Sequence, residues 1–261
     1  IWDDDGLMIR SGTQVTSDGI AEAKKLRIIG RAGVGVDNVD VPTATRKGVL
    51  VVNSPGGNTI AAAGHALAFL LSLSRHIPKA HARTISGRWD RKEFVGNELY
   101  KKTLGVVGLG KIGSHVAKVA NAMGMDVMAF DPFVSSERAL QMQVRLGSIE
   151  DLFQDADFIT LHLPRTAETE NLVDLKLLST MKRNARIVNC ARGGIIDESA
   201  LAEALNSTVI AGAALDVYAT APVHSASPLL TIGNGVILTP HLGASTVEAE
   251  ADVATVVADQ I

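Results

Sequence analysis

A glycine-rich run at residues 108–113, which reads GLGKIG, constrains the fold of this chain more than any other feature. Residues 104–107 form a short apolar run before it, and apolar residues recur at helical spacing after it. The glycines therefore fall where a buried strand turns into a helix. Gly108 permits the tight turn, Gly110 leaves room for a ligand at the helix N-terminus, and Gly113 allows close packing of helix on strand. This arrangement predicts a dinucleotide-binding turn.

A second strand-like run ends at an acidic residue. Residues 126–130 are followed by Asp131, roughly 20 residues beyond the glycine motif, where the fingerprint places an acceptor for the adenosine ribose 2′-hydroxyl. A carboxylate at this position would repel a 2′-phosphate. We therefore predict NAD rather than NADP as the cofactor, with Lys111 and Ile112 also among the residues that bind it.

Short β-like runs alternate with helical patterns along the chain. The β-like runs are residues 7–9, 26–29, 49–52, 104–107, 127–130, 158–161, 187–189, 210–215 and 236–238. A helix-like stretch at residues 58–83, interrupted near Pro78, joins the first three runs to the rest. This alternation predicts an α/β fold with parallel sheets that carry helices on both faces, in the doubly wound Rossmann manner.

Composition narrows the class of partner and the compartment. A hydrophobic fraction of 46% is ample for a buried core, and a net charge of −3 gives no field that would attract nucleic acid or a membrane surface. Cys190 is the only cysteine, which excludes an intrachain disulfide and fits a reducing compartment, either cytoplasm or plastid stroma. We find no signal peptide, although the chain opens at Ile1 without a methionine, which is consistent with a missing upstream segment.

Three polar residues each follow an apolar strand-like run, and such strand ends meet at one edge of a parallel sheet. Arg192 can bind a substrate carboxylate through paired hydrogen bonds, and His241 can exchange protons near neutral pH. Asp216 adds a carboxylate. Each has a structural alternative: a surface ion pair for Arg192, a satisfied structural histidine for His241, and a turn cap for Asp216. The other histidines, including His65 and His162, are interpreted as structural.

The leading part of the chain combines glycine turns with two arginines. Residues 30–39 read GRAGVGVDNV, and an arginine also follows the first strand-like run. Exposed backbone N–H groups beside guanidinium groups suit an anionic ligand. The candidate substrate-binding residues there are Arg10, Ser11, Arg31, Gly33 and Val34. No P-loop, GxSxG, HExxH or CxxC pattern occurs, so neither a hydrolase nor a metal site is predicted.

Four motifs, taken together and in this order, resemble the D-isomer-specific 2-hydroxyacid dehydrogenases: GRAGVGVDNV, GLGKIG, NCARGGIIDE at residues 189–198 and PHLGAST at residues 240–246. The resemblance implies a Rossmann-type NAD domain at residues 56–243. That domain would be inserted into a smaller flavodoxin-like α/β substrate domain at residues 1–55 and 244–261, with NAD in the cleft. It also implies a homodimer paired through the NAD domain. Relative to the family, the chain lacks an opening strand and helix and any regulatory domain after its end.

The resemblance also implies roles for individual residues. Arg192 would bind and polarise an α-keto acid, His241 would be the acid/base, and Arg10 and Arg31 would help receive the substrate's carboxylate or phosphate. Asp131 would hold the adenosine ribose. The residues bordering the nicotinamide half would be Cys190, Ala191 and Asp216. The implied reaction is NAD-dependent oxidation of 3-phosphoglycerate to 3-phosphohydroxypyruvate, which leads into serine synthesis.

Two positions depart from the family pattern. Residues 215–222 read LDVYATAP, so Ala221 stands where a glutamate normally pairs with the catalytic histidine, and Gly64 replaces a second familiar glutamate. Two alternatives therefore stay open. One is a dehydrogenase for another D-2-hydroxy acid, such as a glyoxylate or hydroxypyruvate reductase. The other is a weakly active NAD-sensing binding module, to which Ala221 gives some weight.

Overall fold

The computed structural model describes residues 3–233 and 235–261, and it forms two compact units. One unit comprises Ile1–Ala61 and Ala244–Ile261, and the other comprises Ala62–Gly243. The sequence-based division placed the first boundary after residue 55, whereas the structure places it after Ala61, within a helix. The functional roles assigned to the two parts stay predictions.

The smaller unit is an α/β layer around a three-stranded parallel sheet. The sheet order is β1-β2-β3, and Ile9 lies opposite Arg31 at the carboxyl ends of the first two strands. A core of aliphatic side chains, including Ile20 and Ile29, fills one side. Its elements are β1 (Gly6–Ile9), α1 (Ser17–Glu22), β2 (Ile28–Arg31), α2 (Val41–Lys47), β3 (Leu50–Asn53) and α10 (Val247–Ala258).

The larger unit contains most of the chain's secondary structure. Its strands are β4 (Thr103–Val107), β5 (Asp126–Phe130), β6 (Arg145–Leu146), β7 (Phe158–Leu161), β8 (Arg186–Asn189), β9 (Gly212–Leu215) and β10 (Val236–Leu238). Its helices are α3 (Thr59–Arg75), which crosses the boundary, α4 (Ile77–Ile85), α5 (Lys111–Ala122), α6 (Ser136–Gln141), α7 (Ile149–Asp155), α8 (Leu175–Leu178) and α9 (Glu198–Asn206). Short 3-10 helices occupy Arg91–Phe94 and Pro228–Thr231.

The seven strands form one parallel sheet in the order β10-β9-β8-β7-β4-β5-β6. The order reverses between β4 and β7, so the predicted doubly wound sheet is confirmed. Alternate residues of each strand enter two different cores: Val106 packs with α3 and α5, whereas Val107 packs with α7 and α9. Both faces are therefore covered, and ligands of such folds bind beyond the carboxyl ends of the strands at the reversal.

The predicted long helix at residues 58–83 is two helices. The helix is interrupted at His76, which has a left-handed backbone (φ +54°), and Pro78 lies in the first turn of α4. Proline is well tolerated in a first helical turn, where its missing N–H has no intrahelical acceptor. In the described part of the chain no single helix is long and apolar enough to cross a membrane, and only α3 and α4 together, bent by 63°, reach that length and composition.

Candidate active site

The glycine turn after β4 has the geometry that a dinucleotide requires. Gly108 has a φ of +95°, and a side chain there would lie 2.6 Å from the carbonyl oxygen of His162. A Cβ on Gly113 would lie 1.9 Å from the carbonyl oxygen of Gly108, so the first turn of α5 packs directly on the glycine loop. At Gly110, by contrast, no heavy atom lies within 4 Å of the Cβ position. The first and third glycines are needed for packing, and the second faces open space.

Asp131, at the end of β5, is tied to this turn. Its Oδ2 accepts a hydrogen bond from the Leu109 N–H at 2.7 Å, and its Oδ1 accepts one from the Phe133 N–H at 2.9 Å. Among the described residues no side chain caps α5, whose first turn contains Lys111 and Ile112. An uncapped helix N-terminus, open space at the second glycine and a carboxylate on the next strand fit the pyrophosphate and the ribose of a dinucleotide.

The turn after β8 carries Cys190, Ala191 and Arg192. Asn189, which is 2% exposed, fixes this turn because its Oδ1 accepts from the Ala191 N–H at 3.0 Å and its Nδ2 donates to the Arg192 carbonyl at 2.9 Å. The Arg192 guanidinium donates from Nη1 to the Ala191 carbonyl at 2.7 Å. Burial, reinforced by the negative charge of Asp216, raises the pKa of the Cys190 thiol far above its usual range. This shift favours the protonated thiol over the thiolate.

Gly193 joins the β8 turn to the β9 turn. A Cβ at this position would lie 1.7 Å from the Tyr218 carbonyl oxygen, a distance that no side chain can occupy. The Tyr218 hydroxyl in turn donates to the Thr239 carbonyl at 2.8 Å, beyond the end of β10. The backbone that carries Arg192 is thus connected through two close contacts to the segment that precedes His241.

His241 lies on an exposed loop after β10, and Asp216 holds that loop in place. The Asp216 carboxylate is fully buried, with Oδ1 accepting from the Leu242 N–H and Oδ2 from the Gly243 N–H, each at 2.7 Å. The Thr239 hydroxyl donates to the same Oδ1 at 2.5 Å. His241 itself has a left-handed backbone, with φ of +60°. One carboxylate therefore binds the residues on both sides of the candidate acid/base.

The charge of Asp216 is maintained in spite of its burial. Burial by itself raises the pKa of this carboxyl, but hydrogen bonds from His65, Thr239 and the two loop amides outweigh that effect and hold the pKa below its ordinary value. His65 Nε2 lies 3.3 Å from Asp216 Oδ1. Asp216 is thus an ionised acceptor. Whether it also borders a nicotinamide stays a prediction.

In the smaller unit, Arg10 and Arg31 follow the neighbouring strands β1 and β2. Arg10 forms an exposed ion pair with Glu250 at 2.9 Å, and Arg31 donates from Nη1 to the Ala32 carbonyl at 3.1 Å. Gly33 has a φ of +144°, which favours glycine, and a Cβ there would lie 1.4 Å from Arg31 Nη1, so the guanidinium would have to move. Two guanidinium groups therefore occupy adjacent strand ends, while Ser11 lies in the exposed turn after Arg10 and Val34 follows Gly33.

All the predicted site residues of the larger unit therefore occupy one edge of its sheet. They are Gly108, Gly110, Lys111, Ile112, Gly113, Asp131, Cys190, Ala191, Arg192, Asp216 and His241. Three residues that sequence reasoning missed are His65, Asn189 and Thr239, whose side chains fix the loops of Arg192 and His241. Ala221 is exposed on the segment after Tyr218. Within the described ranges no group of His, Cys, Asp and Glu side chains could hold a metal ion.

A family model described as "D-isomer specific 2-hydroxyacid dehydrogenase, NAD binding domain" matches residues 67–243. The chain belongs to this family. Residues 67–243 are its NAD-binding domain, which confirms the predicted cofactor.

Similar proteins agree with this assignment. D-3-phosphoglycerate dehydrogenase of Synechocystis sp. is 60% identical over 98% of this chain, which covers 46% of that protein. The TT0316 protein of Thermus thermophilus is 34% identical with a TM-score of 0.89, covering 97% of this chain and 80% of that one. D-lactate dehydrogenase of Escherichia coli is 30% identical with a TM-score of 0.86, covering 98% and 81%. The chain spans about half the length of the curated relatives it matches.

Proposed function

We propose that this chain catalyses NAD-dependent oxidation of 3-phosphoglycerate to 3-phosphohydroxypyruvate. The observation that carries the proposal is that Arg192 and His241 both lie on loops at the carboxyl edge of one sheet. The same edge contains the glycine turn of an NAD-binding domain. The name shared by the curated relatives supports this substrate over other D-2-hydroxy acids.

The chain's own residues supply binding and proton transfer. The Arg192 guanidinium binds the substrate carboxylate and orients the C2 hydroxyl by charge-assisted hydrogen bonds. A ring nitrogen of His241 accepts the hydroxyl proton, so the hydroxyl oxygen becomes the carbonyl oxygen of the product. A bound NAD would supply the hydride acceptor for C2. The glycine turn, the first turn of α5 and Asp131 would hold it.

Arg10 and Arg31 supply the proposed recognition of phosphate. Both guanidinium groups occupy neighbouring strand ends of the smaller unit, and Gly33 leaves room for the Arg31 side chain. Glu250 raises the pKa of Arg10 through a hydrogen bond, so this guanidinium stays charged at any working pH. A phosphate would compete with Glu250 for Arg10, and the test therefore substitutes Arg31 on the neighbouring strand end.

The test is turnover of 3-phosphoglycerate, D-glycerate and D-lactate by the purified chain, followed as NADH formation. We expect turnover to be fastest with 3-phosphoglycerate and to be lost in Arg192→Ala and His241→Ala. Arg31→Ala should weaken use of 3-phosphoglycerate by about 10- to 100-fold more than use of D-glycerate, since a hydrogen bond to a charged group contributes roughly 1.5–3 kcal/mol. Equal losses for both substrates would argue against phosphate recognition, and faster turnover of D-lactate would favour another D-2-hydroxy acid.

A second candidate function is an NAD-sensing binding module with little activity. Ala221 favours it, because the carboxylate expected to pair with the catalytic histidine is absent at that position. The two functions differ in turnover rather than in binding. A sensing module would bind NADH tightly, as measured by fluorescence titration, and would show negligible hydride transfer with every substrate in the panel.

We also infer that the chain forms a homodimer through its larger unit. Five large apolar side chains between residues 77 and 100 are each more than half exposed, and none of the nine residues of α4 is buried. Such a concentration of exposed apolar surface is typical of an interface. These side chains are Ile77, Ile85, Trp89, Val95 and Tyr100. Light scattering should give about twice the chain mass of 27.4 kDa, and a Trp89→Ser, Ile85→Ser double variant should shift the particle toward a single chain.

The proposed compartment is intracellular and reducing, in the cytoplasm or a plastid stroma. The single cysteine supports this inference, since one cysteine cannot form an intrachain disulfide. Fractionation of cells that express the tagged protein tests it, and recovery from an oxidising compartment would contradict it.

A further inference from the structure

His65 lies on α3, outside every motif that points to the active site, yet its ring contacts the segment that carries His241. His65 Nε2 is 3.3 Å from Asp216 Oδ1 and 3.3 Å from Thr239 Oγ1. The ring packs against the Phe69 ring, with the ring centroids 4.5 Å apart and an interplanar angle of 51°. A helix of the core therefore places a ring nitrogen against two side chains that fix the loop.

Asp216 accepts hydrogen bonds from residues on both sides of His241. The N–H groups of Leu242 and Gly243, the two residues after His241, both donate to the Asp216 carboxylate at 2.7 Å. A Cβ on Gly243 would lie 3.1 Å from Asp216 Oδ2, so the loop backbone approaches the carboxylate closely. His241 takes its left-handed backbone between this anchor and Thr239.

We propose that His65 is a positioning residue for His241: it is the donor from α3 that completes the hydrogen-bond shell of Asp216 and thereby fixes the loop backbone at residues 239–243. This inference rests on the proposed function, because it concerns the same proton transfer. A buried carboxylate that loses a donor is poorly compensated, and its hydrogen bonds to the loop amides weaken if it becomes protonated. His65 acts through Asp216 and touches no reacting atom.

The missing carboxylate at position 221 gives His65 added importance. In the family pattern a glutamate side chain orients the catalytic imidazole, whereas this chain has Ala221. The backbone on either side of His241 is held by side-chain contacts of Asp216, Thr239 and His65. Loosening that backbone should slow proton transfer without affecting the NAD-binding turn, which lies on other strands.

The test compares His65→Leu, which keeps an apolar side chain against Phe69, with His65→Gln, whose amide nitrogen can replace Nε2 as a donor. His81→Ala, at an exposed position of α4, is the matched control. We expect His65→Leu to lower kcat at least about tenfold while KM and the NADH dissociation constant stay within about twofold, since misplacement of a catalytic group reduces kcat selectively. His65→Gln should restore most of the rate, and His81→Ala should match the parent chain.

Amide hydrogen exchange provides a readout that needs no turnover. In His65→Leu the amides of Leu242 and Gly243 should exchange at least about tenfold faster, with β4 and β7 amides unchanged, because local opening reports local hydrogen bonds. His65→Gln should retain the slow exchange. A parent chain that oxidises no D-2-hydroxy acid would refute the proposed function, and exchange would then still decide whether His65 holds the loop. The positioning role is overturned by unchanged exchange and kcat in His65→Leu, or by parallel losses of NADH affinity and global stability.

Discussion

Substitution of Gly193 by alanine tests how closely the Arg192 turn depends on its neighbour. The added Cβ would lie 1.7 Å from the Tyr218 carbonyl oxygen and 2.1 Å from its carbonyl carbon, whereas ordinary contacts begin at 3.4 Å. Both neighbours are backbone, so no side chain can rotate away. The β8 turn and the segment after β9 must therefore separate by roughly 1.7 Å, and Arg192 is next to the point of separation.

The expected loss follows from that displacement. A shift of about 1 Å at a substrate-positioning group can reduce the rate about 10²-fold, so Gly193→Ala should lower kcat/KM by at least 10²-fold, or roughly 2.7 kcal/mol. Overpacking should also reduce the free energy of unfolding by about 1–3 kcal/mol. Because Tyr218 also binds Thr239, part of the loss should come through the loop of His241.

The assay measures steady-state NADH formation below the unfolding transition, together with NADH affinity and denaturant unfolding. Gly64→Ala is the control, because its Cβ meets no atom within 4 Å on an exposed face of α3. That control should gain about 0.5–1 kcal/mol of stability, since alanine is the better helix former, and should keep the parent rate. A Gly193→Ala variant with parent activity and stability would refute the reasoning that the two turns are locked together.

Three further predictions concern the cofactor, the candidate proton-transfer group and a half-buried histidine. Asp131 should make NADH bind more tightly than NADPH in fluorescence titrations, and equal affinities would contradict its assigned role. Ala221→Glu should raise the pKa of His241, extend the reductive reaction to higher pH and increase kcat up to about tenfold; an unchanged pH–rate profile would show that His241 is not paired from this position. Burial lowers the pKa of His162 from 6.5 to about 4, so this histidine binds a proton on unfolding, and stability should fall by about 3 kcal/mol as pH drops from 6.5 to 4. His162→Gln should flatten that dependence in denaturant titrations, and an equally steep fall in this variant would assign it to other groups.

Local patterns predicted several elements close to their observed positions. The strands at residues 158–161 and 236–238 have the predicted bounds, and the glycine turn lies between β4 and α5 as expected. The strand predicted at residues 26–29 lies at Ile28–Arg31 in the structure. Leu26 is buried but precedes the strand, so the apolar run begins earlier than the strand does. The two-residue β6 was missed, since so short a strand has no periodicity to detect.

The sequence predicted candidate-site residues that follow strands, and it did not predict His65, which lies on a helix. Arg192, Asp216 and His241 each follow an apolar run, so the parallel topology was enough to bring them to one edge. His65 has no such signal. Its partner Asp216 is distant in sequence, on another element, and a histidine within a helical apolar pattern is most often structural. Pairing between distant elements depends on how helices pack on the sheet, which residue spacing does not report.

Backbone N–H groups at the sheet edge are of two kinds. Some are already hydrogen-bonded and hold a loop in place, whereas others are open to a ligand. Those that follow His241 are taken by the Asp216 carboxylate, so this loop is fixed before any ligand arrives. The first turn of α5, in contrast, has no side-chain cap in the described structure and faces open space at Gly110. A helix N-terminus left in this state is favourable for an anion, whereas a loop with its donors already bound presents only its side chain. The same edge therefore offers backbone donors to an anionic ligand at α5 and holds the His241 loop in place, a division that the proposed hydride and proton transfer would use.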